Sequence, residues 1–264
     1  MRSETKREAF FAVVWNDGTY WLYPSGESGN LGFMVHPGPY NVEQFALYAR
    51  NDGVGCVRNV NDNTFYEVDF KTGTVGNVVR TGSGLRVVWN GEEWLFERFR
   101  TGPCVSGTRG YWEDAAGQAL GFSVNADRDY FRGMAVSEDR ARAWVQRTFS
   151  GSDNVLHETS IAPPSCDQPV SWVPLLGSKT LAWLDGALYG ATIEGIWRLY
   201  QDASPELVVP QSWTADDIDF LFASGSFLWN ILGNGTLIKI DPTAGTVEAI
   251  ETLSGYIVHV VVFS

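Results

Sequence analysis

A chain of 264 residues with 44% hydrophobic and 14% aromatic side chains can bury a substantial core without being split into domains. Nineteen basic against 31 acidic residues give a net charge of −12, which opposes attraction to a nucleic-acid backbone or an anionic membrane surface. No apolar stretch approaches the roughly 20 residues needed to cross a bilayer, so a soluble protein without nucleic-acid partners or membrane insertion is expected.

The opening Met1–Ala9 is charged, and the apolar run after it, FFAVVW, is too short for a secretory signal and reads as a strand. The expected place is therefore the cytoplasm or an assembled particle. Strands follow at about Phe10–Trp15, Thr19–Tyr23 and Leu31–Val35. From there the chain repeats two kinds of turn. Tight turns between a first and a second strand fall at Asn51-Asp52-Gly53, Asn90-Gly91, Ser137-Glu138-Asp139, Asp185-Gly186 and Ser224-Gly225-Ser226. Asn-Gly and Asp-Gly suit two-residue hairpins because both central positions need positive φ. A second kind, a polar residue and a short turn after an apolar run, falls at Asp69–Gly73, Asp114–Gly117, Asp202–Pro205 and Asp241–Gly245, with Tyr23 as the first marker.

The two registers share a period of about 44 residues, so that about six units account for the chain. Four short strands per period joined by hairpins are the pattern of a β-propeller. The expectation is an all-β, six-bladed β-propeller with four-stranded antiparallel blades in one domain, 1–264. Its blades are placed at about 42–82, 84–125, 130–165, 170–211 and 217–254. The sixth joins 256–264 to 10–37, with the C-terminal strand 256–263 closing the ring against the N-terminal strands. The segment GSFLWNILGNGTLIKIDPTAGTVEAI (Gly225–Ile250) resembles one repeat of the NHL or YVTN kind of propeller, and NTFYEVDFKTGTVGNVV (Asn63–Val79) resembles the second half of another. The resemblance implies an architecture and carries no catalytic motif.

Ser137–Arg147 has helical features, an N-cap candidate with Ala141, Trp144 and Val145 at helical spacing, yet it also alternates. The repeat favours a hairpin whose outer face carries Arg140, Arg142, Trp144 and Gln146. The Pro-rich stretch Ile161–Pro169 reads as a protruding loop and as a candidate protein contact. Cys56, Cys104 and Cys166 lack zinc-type spacing and read as three free thiols in a reducing compartment, the alternative being one disulfide involving Cys104.

In such a fold the first strands line a channel, and polar residues at their beginnings are the candidate site. These are Glu43, Arg86, Arg132, Asp216, Asp217, Asp219 and His259. The run Asp216-Asp217-Ile218-Asp219 could hold a hard cation through oxygen ligands, with Ca²⁺ as the candidate, or could simply face water and pair with arginines. No Gly-x-Ser-x-Gly elbow and no sialidase-type Asp box is present, so no catalytic residue is nominated. Tryptophans recurring across the units, among them Trp89, Trp94, Trp112, Trp144, Trp183, Trp197 and Trp229, fit interblade packing, with sugar stacking as the alternative. The functional expectation is a non-enzymatic interaction or structural assembly module with a protein partner, as in a large complex such as a phage particle. A glycan-binding, lectin-like propeller and a calcium-supported hydrolase or lactonase at the channel mouth are the alternatives.

Overall fold

The computed structural model describes residues 10–16, 19–24, 33–34, 42–45, 50, 52–59, 63–69, 72, 74–82, 86–105, 108–124, 130–148, 154–253 and 256–262; within this range the side chains of all strand residues before Arg50 fall outside the description. Every regular element is a strand except one short 3₁₀ helix at Ala215–Ile218.

The turns form where the sequence places them. Asp185 and Gly186 both have positive φ, 47° and 80°, and join β16 (Leu181–Leu184) to β17 (Ala187–Thr192) with Leu184 opposite Ala187. Two left-handed residues in succession give the twist that matches paired strands. The Asn90-Gly91 turn is instead a four-residue loop, 90–93, in which only Gly91 has positive φ and Asn90 Oδ1 accepts from the N–H groups of Glu92 and Glu93 at 3.0 and 2.9 Å.

Five four-stranded antiparallel sheets have described side chains on all or most of their strands, those of β4 (Val42–Phe45) excepted. The sheets are β4 to β7 (Thr74–Thr81), β8 (Arg86–Trp89) to β11 (Ala119–Val124), β12 (Tyr130–Val136) to β15 (Val170–Trp172), β16 to β19 (Glu206–Pro210), and β20 (Phe222–Ser224) to β23 (Thr246–Thr252), each with its strands in sequence order. The inner strands are the more buried and the fourth strands the more exposed. The second strand β17 is buried along its whole length, whereas the fourth strand β23 alternates between exposed and half-buried positions. Inner strands are covered on both faces and outer ones are not, so the sequence of inner strands is apolar throughout rather than alternating.

The expectation of a regular six-bladed ring is corrected here. The two chain ends do pair by backbone, β24 (Tyr256–Val262) beside β1 (Phe10–Asn16), then β2 (Thr19–Pro24) and β3 (Phe33–Met34). Yet β3 holds only two residues and makes only the pairs Trp21 with Met34 and Leu22 with Phe33. Of this sheet's side chains only Val260 and Val262 are described, both buried. Five blades are thus defined with their side chains, and the closing set is not a full sixth. The chain divides into two compact units, one of 1–7, 99–112 and 119–253, the other of 8–98, 113–118 and 254–264. In the first, the initial strands β12, β16 and β20 lie in sequence beside one another. In the second, β4 neighbours β8.

The Ser137–Arg147 segment is a hairpin, Val136 standing opposite Ala143 and Met134 opposite Val145. Its expected outer face is not outer. Trp144, Gln146 and Arg147 are buried, because β13 (Arg142–Thr148) is a second strand with neighbours on both faces; only Arg142 reaches solvent. Gln146 Nε2 accordingly donates to the carbonyl of Leu175 at 2.8 Å.

Two further expectations change. Cys104 and Cys166 form a disulfide, leaving Cys56 as the free thiol, fully buried. Burial pushes the Cys56 thiol well above its ordinary value, with the Glu67 carboxylate adding to the effect, so it stays protonated and inert. The Pro-rich stretch does not protrude along its length. Ile161 is buried, and Ser165 lies across β11, where Phe122 donates its N–H to the Ser165 carbonyl at 2.9 Å. A β-carbon on Gly121 would fall 2.3 Å from the Ser165 nitrogen, so the close approach depends on glycine.

Candidate functional site

In the unit that contains residues 119–253, strands β16 and β18 (Gly195–Leu199) begin, and β17 and β19 finish, at the same end of their sheet. Three pieces of chain meet there: Lys179-Thr180 just before β16, the Ile193-Glu194 hairpin tip between β17 and β18, and 211–219 after β19, whereas Val173 donates its N–H to the Tyr200 carbonyl past the other end of β18. The three pieces are fastened to one another by backbone. Trp213 N–H donates to the Ile193 carbonyl and Gln211 N–H to the Glu194 carbonyl, both at 2.9 Å. Lys179 Nζ bonds the Ala215 carbonyl at 2.8 Å and pairs with Asp219 at 2.9 Å.

Three of the expected site residues sit on the last of these connections, and each is already employed. Asp217 Oδ2 accepts from the N–H and hydroxyl of Thr214 at 2.7 and 2.8 Å, and its Oδ1 from the Gly233 N–H at 2.8 Å. Its carbonyl accepts from Asn230 Nδ2 at 2.6 Å. Partial burial pushes the Asp217 carboxyl upward, but the bonds from Thr214 and Gly233 outweigh it and hold the group below the ordinary carboxylate value. Asp217 is a structural hub that starts the 3₁₀ helix and ties it to the turn between β21 (Phe227–Ile231) and β22 (Thr236–Asp241). Asp219 is half taken by Lys179 in a solvent-exposed pair. Asp216 is exposed. Asp217 and Asp219 thus carry structural contacts while Asp216 faces solvent, and no group of three or more His, Cys, Asp or Glu able to hold a metal occurs among the described residues.

Arg86 is half-buried at the start of β8, opposite the fully buried Glu97 of β9 (Trp94–Thr101). The side chains of Glu43, Arg132 and His259 lie outside the described residues, although their backbones belong to β4, β12 and β24. The opening Met1–Ala9 also lies outside them.

The indoles are spent on packing. Trp94, Trp112, Trp144 and Trp229 are buried. Trp144 stacks on Trp183 with centroids 4.1 Å apart, and the Arg142 guanidinium lies 5.3 and 5.6 Å from the two ring centres. Trp172 meets Trp144 edge to face and donates to Glu158 at 3.0 Å. Trp197 donates to the Thr192 hydroxyl at 2.9 Å. Among these rings, Trp144 and Trp183 cover each other's faces.

What the sequence reading overlooked is Trp213. It is half-buried, packs one side on the core cluster of Ile218 and Leu221, and stands beside the exposed Ile193. The signal was present: an indole in the polar run Gln211-Ser212-Trp213-Thr214, where a connection has no core position to fill.

Four-stranded antiparallel blades in series define a propeller-type fold, and comparison with solved structures agrees. No protein-family model matches the sequence, and no curated protein matches it. Solved β-propeller structures resemble it closely in fold and remotely in sequence. A chain of a nidogen/laminin complex superposes with a TM-score of 0.65 at 10% identity over 96% of this chain and 97% of its own. TolB from Acinetobacter baumannii gives 0.63 at 12% identity over 98% of this chain and 67% of its own. A gluconolactonase from Xanthomonas campestris gives 0.59 at 13% over 97% and 91%. At such identities the likeness is one of fold.

Proposed function

We propose that the chain is a non-enzymatic binding module that presents one end of its sheets to a protein partner within a larger assembly. The observation that carries this reading is apolar exposure at that end. Ile193 is 54% exposed at a turn tip, with Trp213 half-buried beside it. Turn tips favour Gly, Asn, Asp and Ser, and nothing in the fold calls for aliphatic side chains there. The nidogen/laminin neighbour, named for a protein complex, is consistent with such use of the fold.

The Cys104–Cys166 disulfide supports a working place outside a reducing cytosol, such as an assembled particle, rather than the cytoplasm. The enzymatic alternative draws support from the gluconolactonase neighbour's fold alone, and the carboxylates expected to serve it at Asp217 and Asp219 are committed elsewhere. The test is a turnover assay of the purified chain with aldonolactones and aminoacyl amides, with and without added Ca²⁺. The expected result is no turnover under either condition. Saturable turnover abolished by substitution of Asp216 or Asp219 would overturn the reading.

A further inference from the structure

The chemistry around Ile193 and Trp213 narrows the kind of partner. The connections 179–180, 193–194 and 211–219 carry four acidic side chains, Glu194, Asp216, Asp217 and Asp219, against the single basic Lys179. That lysine is neutralised by Asp219 and anchored on the Ala215 carbonyl. Glu194 and Asp216 are exposed, and each lies within three residues of an exposed or half-exposed apolar side chain, Glu194 beside Ile193 and Asp216 after Trp213. The surface is thus apolar with an acidic rim whose charge is not cancelled from within, on a chain whose net charge is −12.

An apolar ligand alone would leave those carboxylates to be desolvated at its border without compensation, and an acidic ligand would add repulsion. A segment with aliphatic side chains flanked by Lys or Arg satisfies both parts. We propose that this end of the β16–β19 sheet docks a basic, aliphatic segment of a protein partner, with Ile193 and Trp213 taking its apolar side chains and Glu194 and Asp216 its flanking cations. This rests on the reading of the chain as a binding module and specifies the partner's chemistry.

The surface is rigid enough for the purpose. Its tips are held by the 2.9 Å backbone bonds between 193–194 and 211–213, and Asp217 fixes the segment that follows. Little ordering is required when a partner arrives, which lowers the cost of association.

The experiment is fluorescence anisotropy of the full chain with a fluorescein-labelled peptide of alternating Leu and Lys, beside versions with Leu replaced by Ser and with Lys replaced by Glu. Ile193→Asp and Glu194→Lys are the variants, both on an exposed turn, with circular dichroism confirming an unchanged fold. The expected result is saturable binding of the Leu/Lys peptide, weakened about tenfold or more by Ile193→Asp. Glu194→Lys should weaken it and reduce its salt dependence. The Ser and Glu peptides should bind poorly. Equal binding of the Ser peptide, or no binding of the Leu/Lys peptide, overturns the proposed chemistry. Binding undiminished in both variants places the peptide elsewhere and overturns the site while leaving the module reading intact; that reading fails separately, on enzymatic turnover.

Discussion

Phe122 donates its backbone N–H to the Ser165 carbonyl at 2.9 Å, so the outer edge of β11 is covered by the segment that follows β14 (Asn154–Ser160). An uncovered edge is a template for pairing with another chain. Cys166, next to Ser165, ties the covering segment to Cys104 across 62 residues. Cross-linking so distant a pair restricts the unfolded chain strongly, so reduction or Cys166→Ser should cost about 2–5 kcal/mol. Urea unfolding with and without a thiol reductant measures it, and the reduced protein should also self-associate more readily.

Gly121→Val tests the same contact from the other side. A β-carbon there meets backbone atoms of Pro164 and Ser165 rather than a flexible side chain, so the segment must shift. The variant should lose about 1–3 kcal/mol in the oxidised protein, read as a lower urea midpoint at unchanged slope.

Arg80 and Glu113 form a buried ion pair at 2.6 Å, their side chains 5% and 0% exposed, with Arg80 Nη1 also donating to the Asp114 carbonyl at 3.3 Å. Removing one partner takes from the other charge its 2.6 Å counter-ion while it stays out of water. Arg80→Met should therefore destabilise by about 3–5 kcal/mol, whereas Arg80→Met combined with Glu113→Leu should recover much of the loss. Thermal unfolding of the two single variants and the double variant completes the cycle.

Much of the architecture was legible because turn chemistry is local. Asp185-Gly186 and Asn90-Gly91 could be read as hairpins from two residues each, and their spacing gave the repeat. What could not be read depended on meetings distant in sequence. The pairing of Cys104 with Cys166, and the Pro-rich stretch lying over β11, both require knowing that Gly121 leaves room for Ser165. The acidic run 216–219 was visible as a cluster, but its meaning depended on Thr214, Gly233 and Lys179, which take up Asp217 and Asp219. Burial of Trp144 and Gln146 followed from the position of β13 as a second strand, which alternation alone does not reveal. Regularity of the last unit was over-read, since a full fourth strand was expected at about 31–35 and β3 spans only Phe33–Met34.

Asp217 gives a pH signature. Its folded carboxyl is held below the ordinary range, so its contribution to stability is present above the unfolded pKa of about 4 and is lost as pH falls through the folded value. Asp217→Asn keeps the shape but removes the charge and should flatten the acid limb of the stability curve. Asp217→Ala should cost about 1–2 kcal/mol at neutral pH, in the range of a lost helix cap. Urea midpoints across the acid range for the wild type and the two variants check both statements.

The most direct measurement of the account is hydrogen–deuterium exchange of the whole chain with and without the Leu/Lys peptide. Slowed exchange concentrated in 179–180, 193–194 and 211–219 is the predicted result, because those connections form the docking end. Protection located instead on the outer strands β7, β15, β19 or β23, or protection absent at saturating peptide, would contradict it.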